Sequence, residues 1–373
     1  MNSDLKIASI SDIHLGHRQT PTRRILENLR QAFPDTEETG ELDIILIVGD
    51  LFDGPLGFYS DDAVLVQLWM FDFLKMCKRR DIIVRVLEGT RSHDWKQNVW
   101  FPVVETISAL DVDVKYISEL SIEYIEKLDI NILYVPDEWR PETDQTWMEV
   151  KQLLAERNLL QVDFTALHGA FDEQMPEQAD CPKHSAERYQ SITRYNVFAG
   201  HIHQKWVYGK ILGNGSFDRL IHGEEEPKGH WRVHYRNGES VKTKFVENTE
   251  AMLYRTIKCV KLPVEEAMKK IDQATQNIPD GSHLRILAAS TDAVVNALDL
   301  IKKKYRQFVW TVKTSDKKDS QAKLLVDHRP KSKTVPITPE NIRMLIEERL
   351  AVMQVSPELL TACRDNLTEV GLQ

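Results

Sequence analysis

The chain has 373 residues, of which 42% are hydrophobic and 28% charged, and its formal net charge at pH 7 is -9. This is the usage of a globular protein longer than one typical core, which excludes a disordered chain and predicts more than one folded unit. No apolar stretch is long enough to span a bilayer, the N-terminus lacks the shape of a secretion signal, and the four cysteines are scattered, so we expect a cytoplasmic protein with reduced thiols.

Apolar runs alternate with helical patterns along the first part of the chain. The runs at residues 5–11, 43–48 and 81–87 are flanked by turn residues and predict strands, while residues 21–32 and 62–78 predict helices between them. The alternation indicates an α/β fold in which a sheet is covered by helices on both faces. Ligands of such a sheet bind on the loops beyond the strand ends.

Two units are predicted from the elements that follow. Asn237-Gly238 lies between extended runs and predicts a hairpin that closes a first domain at residues 1–248. Residues 249–313 predict a small β-α-β-α-β capping domain. The further strands are predicted at 114–117, 130–135, 162–167, 197–199, 254–262, 283–288 and 308–312, and the further helices at 264–274 and 292–305.

The C-terminal region begins with a basic stretch. Between residues 302 and 333, eleven Lys or Arg accompany three Asp, which gives a local charge of +8. We assign residues 314–336 to a linker that is either solvated and flexible or able to contact phosphates. Residues 337–373 predict two helices capped at Thr338 and Ser356, with apolar stripes that would dock on the parent domain or on another protein.

Seven residues of the first domain can bind metals, and each sits where a predicted strand ends. One such residue says little, because a Gly-Asp after a strand is often an ordinary turn and a lone histidine often belongs to a core. The complete series in this order predicts a metal site. Its members are Asp12, His14, Asp50, His93, His168, His201 and His203.

These residue types suit the hydrolysis of a phosphodiester. Two divalent ions about 4 Å apart supply a hydroxide at neutral pH and a counter-charge for the oxyanion. Mixed His and carboxylate ligands favour manganese, iron or zinc over calcium or magnesium. Alternation along an extended strand would put Asp12 and His14 on one face, and likewise His201 and His203. Asp50 is the candidate for a carboxylate that bridges the two ions.

The ordered motifs resemble those of the calcineurin-like metallophosphoesterases. The run Gly-Asp-Leu-Phe-Asp at residues 49–53, and the segment from Gly215-Ser216 to Lys228-Gly229, are similar to the SbcD and meiotic-recombination-eleven branch of DNA repair nucleases. The resemblance covers the first two thirds of the chain by motif and the rest by architecture. It implies a four-layer metallophosphoesterase sandwich with a small capping domain and C-terminal helices.

The resemblance also implies roles and partners. His93 would protonate the leaving oxygen, with Asp94 orienting it from behind. The cofactors would be two manganese ions, and the substrate would be DNA ends in the cytoplasm or nucleoid. The partner would be an ABC-type coiled-coil ATPase such as SbcC, bound through the C-terminal helices. The protein would form a homodimer within a heterotetramer. One ion would be held by Asp12, His14, Asp50 and His203, and the other by Asp50, His168 and His201.

The loop that carries His93 departs from this branch. The branch reads Gly-Asn-His-Asp, with the Asn binding the second ion, whereas residues 89–94 of this chain read Gly-Thr-Arg-Ser-His-Asp. Ser92, Thr90 or a water would have to replace the amide, so we expect the second ion to bind more weakly. Arg91 is either a solvent-facing charge or a cation that faces the phosphate.

Two other functions stay open from the sequence. A phosphoesterase of the same family acting on a small nucleotide or a phosphoprotein would leave the capping domain and the terminal helices without an evident role. A non-catalytic adaptor with a degraded site would explain the missing Asn, but the retained His93 argues against it.

Overall fold

The structure is a computed structural model that describes residues 4–57, 59–137, 142–176 and 181–315. The predicted C-terminal helices and all of the predicted linker except residues 314 and 315 lie outside the described residues. Within the described part, no helix is both long enough and apolar enough to cross a membrane. The described residues form one compact unit that ends at Ser315.

The described residues contain two six-stranded sheets, one three-stranded sheet and one two-stranded sheet. The strands are β1 (Asp4–Ile10), β2 (Ile44–Val48), β3 (Ile83–Leu87), β4 (Val114–Ile117), β5 (Ser121–Ile125), β6 (Ile130–Val135), β7 (Phe164–His168), β8 (Ala170–Phe171), β9 (Lys183–His184), β10 (Val197–Gly200), β11 (Trp206–Tyr208), β12 (Ile211–Gly213), β13 (Gly229–Arg236), β14 (Glu239–Glu247), β15 (Tyr254–Lys258), β16 (His283–Ala288) and β17 (Val309–Thr314).

The helices follow the pattern of apolar residues and caps. In the longest one the Ser60 hydroxyl accepts from the Ala63 N–H at 3.2 Å, and Asp81 ends the helix in a left-handed conformation. The helices are α1 (Thr22–Ala32), α2 (Glu37–Gly40), α3 (Asp61–Arg80), α4 (Arg91–Asp94), α5 (Trp100–Ser108), α6 (Thr143–Glu156), α7 (Ala186–Ile192), α8 (Val264–Ala274), α9 (Ala293–Asn296) and α10 (Leu298–Lys304).

Parallel strands form the centre of both large sheets. The first sheet has the order β14-β13-β1-β2-β3-β4, in which β1 to β4 are parallel and β13 joins β1 antiparallel. The second has the order β11-β12-β10-β7-β6-β5, with a parallel centre from β12 to β6. The Asn237-Gly238 turn joins β13 to β14, which confirms the predicted hairpin.

The two large sheets pack face to face, with helices on their outer faces. Ile44 and Leu46 of β2 share a core with Tyr134 of β6 and Phe164 of β7. The outer face of the first sheet packs against α1, α3 and α5, and that of the second against α6 and α7. The predicted four-layer sandwich is therefore confirmed. The expectation of one sheet with helices on both faces was wrong, because a fully buried strand has the same apolar run under a helix as under a second sheet.

Residues 254–314 form a three-stranded parallel sheet with its own apolar core. The predicted elements are present, except that the helix expected at 292–305 divides at Ala297 into α9 and α10. The Tyr254 hydroxyl lies 3.2 Å from that of Thr20, so the first strand of this sheet touches the loop after β1. The domain boundary at residue 248 stays a prediction.

The parallel strands bring their carboxyl ends to one place. Strands β1, β2 and β3 end there in the first sheet, and β7 and β10 in the second. The His168 Nδ1 atom lies 2.8 Å from the Val48 carbonyl, and the His201 N–H donates to Asp12 at 3.0 Å, so hydrogen bonds join the two sheets at this edge. The predicted metal-binding residues lie at or after these strand ends.

Candidate metal centre

Asp12 and His14 lie in a loop rather than on an extended strand. Strand β1 ends at Ile10, and both residues have left-handed backbone conformations, with φ of 50° and 56°. Asp50 has the same conformation after β2, with φ of 51°. The prediction that Asp12 and His14 share one face was correct in outcome, but its basis in strand alternation was wrong. The loop turns instead, since the His14 N–H donates to the Asp50 carbonyl at 3.1 Å.

The first group of potential ligands is Asp12, His14 and His203, whose ligand atoms lie within 4.8 Å of one another. The His14 Nδ1 lies 3.0 Å from the Asp53 carboxylate, and the His203 Nδ1 lies 2.7 Å from that of Glu224. Because a carboxylate only accepts, the neutral form of each ring carries its proton on Nδ1 and has its lone pair on Nε2.

This tautomer makes the first group a good fit for a cation. The Nε2 atoms of His14 and His203 face each other at 3.1 Å, and neither would bring a proton to the contact. The Asp12 carboxylate lies 3.9 Å from the His203 Nε2, and that of Asp50 lies 3.9 Å from the His14 Nε2. Two lone pairs and two carboxylates around one point require positive charge, and a divalent ion satisfies all four.

The second group is Asp50, His168 and His201. The expectation that His201 and His203 share one face was wrong, because both follow the end of β10 at Gly200 and they belong to different groups. The His168 Nδ1 donates to the Val48 carbonyl, so its Nε2 is available and lies 3.2 Å from the Asp50 carboxylate. Burial lowers the pKa of His168, but the Asp50 charge outweighs it and holds that pKa well above its ordinary value. A bound cation would take the place of that proton. Burial lowers the pKa of His201 to about 4, which leaves this imidazole neutral near pH 7.

Thr90 occupies the position next to the second group. Its hydroxyl lies 3.2 Å from Asp50, 3.4 Å from the His168 Nε2 and 3.3 Å from the His201 Nδ1, and its N–H donates to Asp50 at 2.5 Å. Ser92, the other candidate to replace the missing Asn, is exposed on α4. The Thr90 hydroxyl is therefore the protein oxygen best placed to complete this group.

Two glycines allow the loops to approach this closely. A Cβ at Gly49 would lie 2.2 Å from the His168 Nδ1, and Gly49 also has φ of 78°. A Cβ at Gly89 would lie 2.1 Å from the Asp50 backbone nitrogen. Both contacts are too short for any side chain, so the Gly-Asp and Gly-Thr sequences are required by packing around Asp50.

His93 lies at the exposed side of the first group. Its ring centroid is 4.8 Å from that of His14, its side chain is 32% exposed, and its Nδ1 is 3.7 Å from the Asp53 carboxylate. Burial lowers the pKa of His93, but the carboxylates of Asp53 and Asp50 outweigh it and raise that pKa above its ordinary value. His93 is thus an imidazole at the edge of the two groups whose environment favours its protonated form.

Asp94 is not brought into contact with the His93 ring. Its carboxylate accepts from the N–H groups of Asp50 at 3.1 Å, Phe52 at 3.0 Å and Gly89 at 2.7 Å, and from the Asn98 amide at 2.7 Å. No hydrogen bond joins the Asp94 and His93 side chains in the described structure. Burial and the Asp50 charge raise the pKa of Asp94 to about 7. The expected orientation of His93 by Asp94 is replaced by a role in fixing the loops after β2 and β3.

Sequence reasoning missed Asp53 and Glu224 as parts of the site. Both residues lie in the two segments that resemble the DNA repair branch. Each is an acidic residue in a segment that also contains or follows predicted metal ligands, and this could have identified it. Glu224 is tied down further by Lys228, a lysine only 1% exposed, whose Nζ lies 3.4 Å from the Glu224 carboxylate and donates to the His203 carbonyl at 2.9 Å. Burial raises the pKa of Glu224, but His203 and Lys228 outweigh it and hold that pKa below its usual value.

A model of calcineurin-like phosphoesterases matches residues 5–205, which include the whole of both groups. The chain belongs to this family, whose members are metal-dependent phosphoester hydrolases. A comparison with curated protein sequences finds no match.

Among solved structures, a crystal structure with 11% sequence identity covers 66% of this chain and 100% of its own, with a TM-score of 0.40. GAP50, the anchor in the inner membrane complex of Plasmodium, is similar at 13% identity over 74% of this chain and 98% of its own, with a TM-score of 0.36. Neither likeness bears on the substrate.

We expect Glu224 to control the affinity of the first group for metal. Replacing a carboxylate that holds a ligating histidine weakens metal binding about 10- to 100-fold, so Glu224→Gln is expected at the lower end and Glu224→Ala at the upper. Isothermal titration with manganese measures the effect. Glu226→Gln is the matched control, since Glu226 pairs with Lys228 at 2.6 Å but does not contact His203. Unchanged affinity in Glu224→Ala would contradict the assignment.

We expect the Thr90 hydroxyl to support the second ion. Thr90→Val keeps the shape and removes the oxygen, and the loss of a hydrogen-bonding group beside a charge, about 1.5–3 kcal/mol, corresponds to a roughly 10- to 100-fold weaker second binding step. Thr90→Ser retains the oxygen and is expected to behave as the wild type. Manganese is counted by paramagnetic resonance during a titration. Equal second-step affinity in Thr90→Val and wild type would exclude the hydroxyl as a ligand.

Proposed function

We propose that the protein is a metal-dependent nuclease that processes DNA ends together with an ABC-type coiled-coil ATPase. The observation that carries the proposal is the contact of Glu224 with His203. It ties the segment from Gly215 to Gly229, which is similar to the DNA repair branch, to the first metal-binding group. That segment is therefore part of the site, and its likeness to nucleases bears on the chemistry there.

The proposed ligand sets follow the geometry of the two groups. Asp50 lies between them, 3.2 Å from the His168 Nε2 and 3.9 Å from the His14 Nε2, and so is placed to bridge two ions. His14, His203 and His168 are held by partners on their other nitrogens, and the mixed His and carboxylate set suits manganese, iron or zinc, of which the likeness to the DNA repair branch favours manganese. When bound, two ions supply a nucleophile at neutral pH and charge for the phosphate oxyanion.

The remaining residues of the proposed mechanism come from this chain alone. His93 faces the first group from the more exposed side and carries the proton that the leaving oxygen would take. Asp53 contacts the His14 Nδ1 and lies near the His93 Nδ1, so it orients a ligand and the acid at once. Arg91 is exposed on α4, in a position to meet a phosphate backbone.

We further propose that two copies pair through α3 and α5. These helices contact each other, and each has an exposed apolar stripe: Val64 and Leu68 on α3, and Val103 and Ile107 on α5. Residues spaced by four lie on one helix face. An apolar surface on two neighbouring helices is typical of a contact between subunits. The ATPase would bind through residues 337–373, which lie outside the described residues.

Cleavage of DNA is tested with purified protein and manganese. We expect linear double-stranded DNA to be degraded, alone or with the ATPase, and His93→Ala to reduce the rate by about 100-fold or more while manganese stays bound, because general-acid catalysis contributes at least this factor. His234→Ala is the matched control, since His234 bonds Asp4 at the far end of β1. If DNA survives but bis(4-nitrophenyl) phosphate is cleaved, the protein is a small-substrate phosphoesterase. If neither is cleaved with metal bound, it is an adaptor.

The proposed assembly is tested by light scattering of the protein with and without its ATPase. We expect a dimer that becomes a two-to-two heterotetramer, because the stripes on α3 and α5 would join the copies and the C-terminal helices would bind the ATPase. Val103→Asp is expected to give monomers. Leu160→Asp changes an exposed leucine that lies on neither α3 nor α5, and it is expected to leave the dimer intact. Deletion of residues 337–373 is expected to leave the dimer and remove the ATPase. An intact heterotetramer after that deletion would contradict the assignment.

A further inference from the structure

Trp95 is an exposed aromatic side chain beside the candidate metal centre. The residue is 56% exposed, and every other tryptophan of the described residues is buried or partly buried. A largely exposed ring beside the candidate site offers a flat apolar face on which a ligand can stack.

The ring is held in place by the surrounding loop. The Trp95 Nε1–H donates to the Ser92 carbonyl at 3.0 Å. Trp95 and Lys96 both have left-handed backbone conformations, with φ of 49° and 61°, and the Lys96 N–H donates to the Glu88 carboxylate at 2.8 Å. Non-glycine residues rarely adopt this conformation twice in succession, and such backbone persists where the surrounding structure enforces it, often at functional sites.

A second anchor holds the same loop against the chain that follows β2. The Gln97 amide donates to the Gly54 carbonyl at 3.0 Å and accepts from the Leu56 N–H at 2.7 Å. Trp95 therefore belongs to a loop that is held by hydrogen bonds on two sides. The ring loses little conformational entropy when a ligand binds.

The position and charge of this loop suit a nucleic acid. Trp95 follows His93 by two residues, so their Cα atoms are at most about 7.6 Å apart. Arg91 and Lys96 are exposed in the same short stretch of chain as Trp95, while Asp94, the acid between them in sequence, is buried on backbone amides. The exposed surface of residues 91–96 is thus aromatic and cationic in a chain whose net charge is -9. An aromatic face flanked by cations is the arrangement that binds single-stranded nucleic acid.

We propose that Trp95 is a stacking platform for an unpaired nucleobase next to the scissile phosphate, with Arg91 and Lys96 contacting the adjoining phosphates. This inference rests on the proposed nuclease function. A base inside a duplex has both faces covered by its neighbours, and the last base of a paired end has one free face but is held by its complement, so an unpaired terminal base reaches Trp95 at the lowest cost. The platform therefore selects DNA whose terminal nucleotides are frayed, mismatched or single-stranded over fully paired ends.

The kinetic test compares wild type, Trp95→Ala and Trp95→Phe in manganese on duplexes with frayed ends, duplexes with fully paired ends, and bis(4-nitrophenyl) phosphate. Loss of one stacked base corresponds to about 5- to 150-fold. We expect Trp95→Ala to lower kcat/KM on frayed ends by a factor in this range, measured relative to its kcat/KM on the small diester, and Trp95→Phe to restore most of it. Tyr124→Ala is the matched control, since Tyr124 is an exposed aromatic residue on β5.

A binding test gives a readout without turnover. In a His93→Ala background, an oligonucleotide with 2-aminopurine at its unpaired end is expected to lose fluorescence on binding, as a stacked base does. His93→Ala/Trp95→Ala is expected to bind without this quenching, and His93→Ala/Trp95→Phe to retain it.

The outcomes separate the inference from the proposed function. Wild-type protein that cleaves none of these DNAs would overturn the nuclease function itself. Wild-type protein that cleaves DNA while Trp95→Ala keeps its preference for frayed ends and its quenching would overturn the platform alone. Equal losses on DNA and on the small diester in Trp95→Ala would show that the ring supports the loop around His93, and would also overturn the platform.

Discussion

The facing Nε2 atoms of His14 and His203 set the electrostatic requirement on which the site depends. Carboxylates fix the proton of each ring on Nδ1, so two lone pairs point at each other across 3.1 Å beside Asp12 and Asp50. A divalent cation between the rings satisfies both lone pairs and both carboxylates without rebuilding the loops. The glycines before Asp50 and Thr90, the left-handed backbone at the ligands and the buried Lys228 all serve to hold these atoms at one point.

Asp94 connects the backbone of the two loops that form the second group. Its carboxylate gathers the N–H groups of Asp50, Phe52 and Gly89, so the loops after β2 and β3 cannot separate without leaving buried donors unpaired. The raised pKa of Asp94 shows that burial and the neighbouring charge of Asp50 destabilise its ionised form. The centre is thus rigid for a reason distinct from its affinity for metal: a buried acid between two loops fixes their spacing whether or not an ion is bound.

The sequence predicted most of the strands and the order of the ligand residues, because buried strands and polar residues at their ends form local patterns. The second sheet was not predicted as the partner of the first, since an apolar run does not reveal what covers it. Asp53 and Glu224 were missed because they lie 39 and 21 residues from the histidines they contact. The contacts of Asp94 depend on how the chain turns after Thr90, which residue types alone do not specify.

That turn links the two unusual features of the centre. The N–H groups of His93 and Asp94 both donate to the Thr90 carbonyl, at 2.8 Å and 3.0 Å, and close the short helix α4 directly after the threonine. The turn holds the Thr90 hydroxyl against Asp50 and directs the Asp94 carboxylate toward the backbone amides. The helix ends at Asp94, and the exposed Trp95 follows it. The Thr90 hydroxyl beside Asp50 and the exposed ring of Trp95, two residues after His93, are therefore two results of one loop conformation. A change in that loop would alter the geometry of the second group and the exposed surface around Trp95 together.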